Sequence, residues 1–291
     1  MRLLKVPVEI PALRTANIYL NDNFIIDSGM SRYSYDYIKS SINVDDIDFI
    51  VISHMHIDHI GGALYFQKEN NIDVYIGINE LKYIENIDEY IDFYRSLIKD
   101  SGAPDAIIEK IISDNIIGKY IDYYREINLK PLNYINGYSI IDTPGHSPGS
   151  ICIYDSYNER LFSGDHVLER ITPNVSMYYG NPLDDYIKSL EKLKNISIRS
   201  IYPGHGNVIN NVGNRIDEII EHHNIRLNQI RSLLKHDMTA FEIASGITWH
   251  YNFNDMDGNQ LGFAIIETVS HLKYLEEKGE IKRSGIYYRF I

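Results

Sequence analysis

The segment Ser53-His54-Met55-His56-Ile57-Asp58-His59, directly behind the apolar run Ile47 to Ile52, constrains this chain more than any other feature. A short continuous apolar run reads as a strand buried on both faces. The polar segment therefore begins where a sheet ends. In extended chain, residues two apart point the same way, so His54 and His56 can reach one ligand. A turn into a helix then carries Asp58 and His59 to an adjacent position. Imidazole suits zinc, iron or nickel, and a carboxylate completes such a donor set.

Three single residues join this segment. His146 lies in Asp142-Thr143-Pro144-Gly145-His146-Ser147-Pro148-Gly149, Asp165 in Phe162-Ser163-Gly164-Asp165-His166, and His205 in Tyr202-Pro203-Gly204-His205-Gly206. Each follows an expected strand, and the flanking Gly and Pro permit sharp turns and close backbone approach. A lone histidine is more often a core or surface residue than a ligand. The reading rests on the whole set of His54, His56, Asp58, His59, His146, Asp165 and His205.

The remaining pattern supplies a mixed α/β frame. Strands are expected at Leu3–Val8, Asn17–Leu20, Phe24–Ile26, Val74–Ile76, Tyr138–Ile141, Ile151–Tyr154, Leu161–Phe162 and Ser200–Tyr202. Helices are expected at Tyr33–Ser40, from Gly61-Gly62 onward, at Leu183–Leu193 and at Val212–Leu234. From Leu81 to about Lys130 the spacing of Ile84, Ile87, Ile91, Tyr94 and Ile98 is helical, as is that of Ile107, Ile111 and Ile112. Beyond Asp237 the outline is a short helix at Thr239–Ser245, a longer one at Leu261–Lys278, and a hairpin from Ile281 to Phe290. That is the outline of a winged helix.

Composition narrows the partners. The net charge of −12 argues against nucleic acid and anionic membrane in the absence of a local basic patch. From Asp237 to the end, five Lys or Arg face eight Asp or Glu, so the C-terminal region is expected to pack or to dimerise rather than to bind DNA. Cys152 is the one cysteine; no intramolecular disulfide is available, and its place in a strand marks it as a core residue. No apolar stretch is long enough for a signal peptide or a membrane span, so a cytoplasmic protein is expected.

The four motifs, in this order, resemble those of the metallo-β-lactamase fold superfamily over roughly Met1 to Leu234. The resemblance implies an αββα four-layer sandwich with the metals at one edge. It places His54, His56 and His146 on one metal and Asp58, His59 and His205 on a second, with Asp165 bridging. Domains of 1–235 (catalytic, with a helical insertion at about 81–130) and 236–291 (winged-helix-like) follow. The segment His222-His223-Asn224-Ile225-Arg226-Leu227 and the C-terminal outline resemble the branch that holds lactamase-β-like-2 proteins and uncharacterised prokaryotic hydrolases. The run Asp165-His166-Val167-Leu168 with Ile171-Thr172-Pro173-Asn174-Val175 is similar to the uncharacterised members.

The expected activity is hydrolysis by a hydroxide shared between two divalent ions, zinc first and iron or manganese as alternatives. Asp58 and Asp165 are the catalytic carboxylates of that scheme. The expected substrate is a small ester, thioester or lactone; a phosphodiesterase or endoribonuclease acting on single-stranded RNA is the competing reading. His166 is an outer-shell or proton-donor candidate beside an ordinary packing role. Arg170, Tyr178 and Tyr179 are candidates for the substrate pocket, with Asn17 and Arg14 near its mouth. The tyrosines of the helical stretch read as core or surface residues, with a lid over the site as the alternative.

Overall fold

The computed structural model describes residues 1–10 and 13–291. Two mixed sheets form its centre. The first runs in the order Arg2–Pro7, Thr15–Asn21, Phe24–Ile26, Phe49–Ile52, Asp73–Ile76 and Leu129–Pro131. The first three strands pair antiparallel, and pairing from Phe24–Ile26 onward is parallel. The second sheet runs Ser200–Pro203, Arg160–Gly164, Ile151–Asp155 and Ser139–Asp142, parallel only between its first two strands.

Strand alternation decides the layering, because neighbouring side chains leave a sheet on opposite faces. Tyr19, Phe24, Ile26 and Val51 of the first sheet pack against Ile151, Ile153 and Phe162 of the second. Their neighbours Ile18, Ile25, Ile50 and Ile52 turn the other way, onto Tyr35, Ile38 and Phe66 of helices Arg32–Ser41 and Ala63–Asn70. On the second sheet Cys152, Leu161 and Ile201 meet Leu183, Tyr186 and Leu190 of helix Pro182–Lys194, and Ile216 and Ile219 of helix Val212–Leu233. The order is helix, sheet, sheet, helix, as expected.

The stretch read as helical from Leu81 to Lys130 starts earlier and stops sooner. Helices Ile78–Glu85, Ile87–Lys99, Asp105–Asp114, Ile116–Lys119 and Ile121–Glu126 fill it, and Leu129–Pro131 is a strand at the sheet edge. A proline is tolerated there because its missing N–H faces no partner strand. The buried Tyr124 of the last helix donates its hydroxyl to the Met55 carbonyl at 2.8 Å, and Tyr123 accepts from the Leu64 amide at 3.1 Å. These tyrosines hold the histidine loop and the helix behind it.

Beyond Leu233 come helices Ala240–Gly246 and Gly258–Glu277 and a three-stranded sheet of Met238–Thr239, Tyr287–Phe290 and Ile281–Ser284. Capping boxes start both helices, Thr239 with Glu242 and Asp257 with Gln260. The second therefore begins three residues before Leu261, its first expected residue. This region is not held at arm's length: Leu261 and Ile265 pack with Ile98 and Ile111 of the helical insertion. Among the described residues, no helix is long and apolar enough to cross a membrane.

Candidate metal centre

Strand Phe49–Ile52 ends before Ser53, and the chain bends through Ser53–Met55 to His56, the extended N-cap of the short helix Ile57–Ile60. His54 lies in that bend rather than on extended chain as expected, His56 is extended, and Asp58 and His59 sit on the first helical turn. Strand Arg160–Gly164 delivers Asp165, strand Ser200–Pro203 delivers His205, and the loop between Asp142 and Ile151 delivers His146. All seven predicted side chains converge. His54 groups with His56 and His146, His54 with His59 and Asp165, and Asp58 with His59 and His205, with donor atoms in each group within 4.8 Å of one another.

The outward nitrogens define what faces inward. His146 Nδ1 donates to the Asn174 carbonyl at 2.8 Å and His205 Nδ1 to the Thr15 carbonyl at 2.7 Å. A carbonyl only accepts, so each Nδ1 carries a proton, and in the neutral ring each Nε2 presents a lone pair. His59 Nδ1 lies 2.8 Å from the Asp27 carboxylate, which fixes the same tautomer. His59 Nε2 and His205 Nε2 then face each other at 3.2 Å. Two lone pairs at that distance repel unless a proton or a cation lies between them. Asp58 Oδ2 stands 3.1 Å from His205 Nε2, and Asp165 reaches His59 at 3.4 Å and His205 at 3.5 Å. Within the same cluster His54 Nε2 and Asp165 Oδ1 are buried without a hydrogen-bond partner. Facing lone pairs, orphaned donor atoms and carboxylates together fit a divalent cation set.

Protonation follows the same division. Burial lowers His54 far below the ordinary histidine range and, with His146, brings His56 to about 3. Those rings stay neutral, as a ligand must. Burial also pulls on His59, but Asp165, Asp27 and Asp58 outweigh it and raise the ring well above its ordinary value. Burial works against the ionised Asp165, yet His205 and His59 hold its carboxyl well below the usual range. Against burial, the carboxylates around His59 and His205 raise both rings and thus favour positive charge there, carried by protons or by a cation.

Other residues hold the loops. Asp27, which the sequence did not single out, accepts from the Ser53 amide at 2.7 Å as well as from His59. Asn17, expected near the mouth of the site, instead donates to the Pro203 carbonyl at 2.9 Å and the Gly206 carbonyl at 3.1 Å, pinning both sides of His205. Glu80, at the start of helix Ile78–Glu85 and also unmarked in the sequence, accepts from the amides of Met55 at 2.7 Å and Gly149 at 2.6 Å. It ties the His54–His56 loop to the His146 loop, although burial raises its carboxyl above the ordinary glutamate value. Glu80→Ala should leave two buried amides without an acceptor and cost roughly 2–5 kcal/mol. Urea unfolding measures this; an unchanged midpoint with unchanged slope would show that the loops hold themselves.

The remaining candidates belong to none of these donor groups. His166 is fully buried with neither ring nitrogen hydrogen-bonded, edge-on to Tyr186 with centroids 4.9 Å apart. Tyr178 is buried and donates to Asp185 at 3.0 Å. Tyr179 is 59% exposed and stacks on Phe93. The Arg170 side chain is 84% exposed beside Glu169. Cys152 is buried, and burial pushes its thiol up to about 12, which suits packing and not nucleophilic attack.

YqjP of Bacillus subtilis (strain 168), described as "Probable metallo-hydrolase YqjP", is 25% identical over 261 residues, 83% of this chain and 78% of its own. A "Beta-lactamase-like protein 2 homolog" of Caenorhabditis elegans is 28% identical over 248 residues, 81% of this chain and 71% of its own. The crystal structure of the metallo-beta-lactamase family protein TTHA1429 from Thermus thermophilus superposes with a TM-score of 0.82 at 26% identity, covering 100% of this chain and 98% of that one. Residues 14–205 match the family described as Lactamase_B, the Metallo-beta-lactamase superfamily, and carry all seven converging side chains. The chain belongs to the metallo-beta-lactamase superfamily.

Proposed function

We propose that this chain is a metal-dependent hydrolase holding two divalent ions, zinc by donor type, with iron and manganese as alternatives. His54, His56 and His146 hold the first, Asp58, His59 and His205 the second, and Asp165 contributes to both. The observation that carries this is the His59–His205 pair, whose rings, anchored through Nδ1, hold their Nε2 atoms 3.2 Å apart beside Asp58 and Asp165. When bound, the ions supply Lewis acidity and bring the pKa of water towards neutrality. The chain's own residues do the rest. Asp27, Asn174 and Thr15 fix the ring orientations. Asp58 and Asp165 offset the charge and set the spacing. Elemental analysis of purified protein tests the stoichiometry; fewer than two equivalents after zinc loading would refute it.

The substrate reading is a small ester, thioester or lactone. The chain is acidic, with a net charge of −12, and a single-stranded RNA track needs Lys and Arg along it. The helical insertion packs directly on the histidine loop through Tyr124, which favours a narrow approach over an open channel. Metal-loaded protein should show a higher kcat/KM on at least one small acyl substrate than on single-stranded RNA, with Asp58→Ala as the control for contaminating nuclease. The reverse ranking would promote the ribonuclease reading.

The C-terminal segment, read as a winged helix on its two helices and hairpin, serves packing or dimerisation on this view. With five basic against eight acidic residues from Asp237 to Ile291, it is not expected to present a phosphate-binding face. The full chain should show no salt-dependent binding of duplex DNA at physiological ionic strength; a gel shift that weakens with added salt would contradict this.

A further inference from the structure

A fourth buried donor group lies outside the metal centre. His223, on helix Val212–Leu233, meets Glu267 and His271, on helix Gly258–Glu277, with one donor atom of each within 4.8 Å of the others. Glu267 and His271 are four residues apart, so they share a helix face. His223 and His271 are 0% exposed and Glu267 is 6% exposed. His271 is anchored as His146 and His205 are. Its Nδ1 donates to the Glu267 carbonyl at 2.7 Å, which leaves Nε2 with a lone pair, and His223 Nδ1 stands 3.1 Å from it.

The carboxylate makes the case for a cation. Glu267 accepts from Asn174 Nδ2 at 2.7 Å, but among the described residues no Lys, Arg or His nitrogen comes within 4.0 Å of it. Arg226 is the nearby cation, yet its guanidinium sits 3.9 Å over the Trp249 ring, and its Nη1 is buried and unpartnered. A neutral pair, with His223 Nδ1 donating to His271 Nε2, accounts for the two rings alone. It leaves Glu267 without a Lys, Arg or His nitrogen within 4.0 Å. Burial raises the Glu267 carboxyl above its ordinary range, against the pull of Arg226 and Asn174, and a buried carboxylate is normally paired or ligates a metal.

We propose that His223, Glu267 and His271 form a third divalent-cation site, of the zinc class, that ties helix Val212–Leu233 to helix Gly258–Glu277. Two imidazoles and a carboxylate are donors that zinc accepts. The site is closed to solvent, so the ion is structural. It also borders the catalytic region: the Asn174 side chain donates to Glu267 while the Asn174 carbonyl receives His146 Nδ1. The inference is independent of the two-ion reading above.

The test needs no variant in its first arm. Crystals of the full chain grown with zinc, measured at the zinc absorption edge, should show an anomalous peak about 2.1 Å from His271 Nε2. Density at the His54–His205 cluster without that peak overturns the proposal, as does an Arg226 side chain swung onto Glu267 in its place. A peak at His271 with none at the cluster would instead sink the two-ion reading and leave this one standing. In the second arm, elemental analysis of desalted protein should give one equivalent less for His271→Gln than for the unmodified chain; an unchanged count overturns the proposal. If His271→Gln does not accumulate as folded protein, the diffraction arm decides alone.

Discussion

Asp165→Ala should cost the protein at least one equivalent of metal and nearly all hydrolytic activity. Asp165 stands between the two groups. It joins His54 and His59 in one donor set, and it reaches His205 at 3.5 Å. Its Oδ1 has no hydrogen-bond partner and is buried, so the fold holds a desolvated carboxylate at this point without satisfying it internally. Removing it leaves His59 and His205 facing each other with one negative charge fewer to hold a cation there. Losing about 4 kcal/mol of transition-state stabilisation corresponds to roughly a 10³-fold fall in kcat/KM, and a shared ligand should cost at least that. The adjacent His166 is the contrast. It is as deeply buried, but it belongs to none of the donor groups. His166→Ala should keep both ions and lose at most roughly 10- to 100-fold in rate or affinity, the range of a residue that acts through a neighbour. Metal content by elemental analysis, beside kcat/KM on the same preparations, separates the two. Loss of metal from His166→Ala would put that side chain on an ion, and retention of both ions by Asp165→Ala would remove Asp165 from its bridging place.

The convergence of the seven side chains was legible because each carries a local mark. Two histidines two residues apart, followed by Asp58 and His59 on a helical turn, is a spacing argument, although the chain bends at His54 where extended backbone was expected; His146, Asp165 and His205 each follow a strand and carry flanking glycines. The supports were not legible. Asp27 lies 32 residues from His59, and Glu80 lies 25 from Met55 and 69 from Gly149. Nothing near Asp27 or Glu80 in sequence announces a partner, and an aspartate before Ser28-Gly29 reads equally well as a turn. The Asn174 and Thr15 contacts are made by backbone carbonyls, which any residue type supplies. Leu129–Pro131 was hidden for a different reason. Three residues at a sheet edge are too short for an alternation to show, and the helical Ile and Tyr spacing runs up to them. His223 falls on the apolar stripe of Val212–Leu233, and Glu267 and His271 lie in a run of helix Gly258–Glu277 that is buried all round, so no periodicity set the donors apart.

Gly61→Ala should be the most destabilising alanine replacement near the site, by more than about 4 kcal/mol, because its methyl would meet main chain. A Cβ on Gly61 would lie 1.7 Å from the Met30 carbonyl oxygen and 2.6 Å from that of Ile57. Neither can swing aside as a side chain would. The backbone at Gly61 is ordinary right-handed helix, φ −62° and ψ −29°, so the cost is steric and not conformational. The close approach has a purpose. The Ser28 amide donates to the His59 carbonyl at 2.7 Å and the Gly62 amide to the Gly29 carbonyl at 3.0 Å, which presses the 27–30 turn against the helix that carries Asp58 and His59. Asp27, in that turn, can then reach His59 Nδ1. Pushing the two apart removes the support of His59 as well as the packing. A fall in Tm of roughly 10 °C or more, or failure to accumulate as folded protein, is the expected outcome. Gly213→Ala is the control: a Cβ there meets nothing within 4 Å, and it sits inside helix Val212–Leu233. Alanine is the better helix former, so Tm should hold or rise slightly. A Gly61→Ala protein as stable as Gly213→Ala, with its metals in place, would mean that the 27–30 turn is free to move and does not position His59.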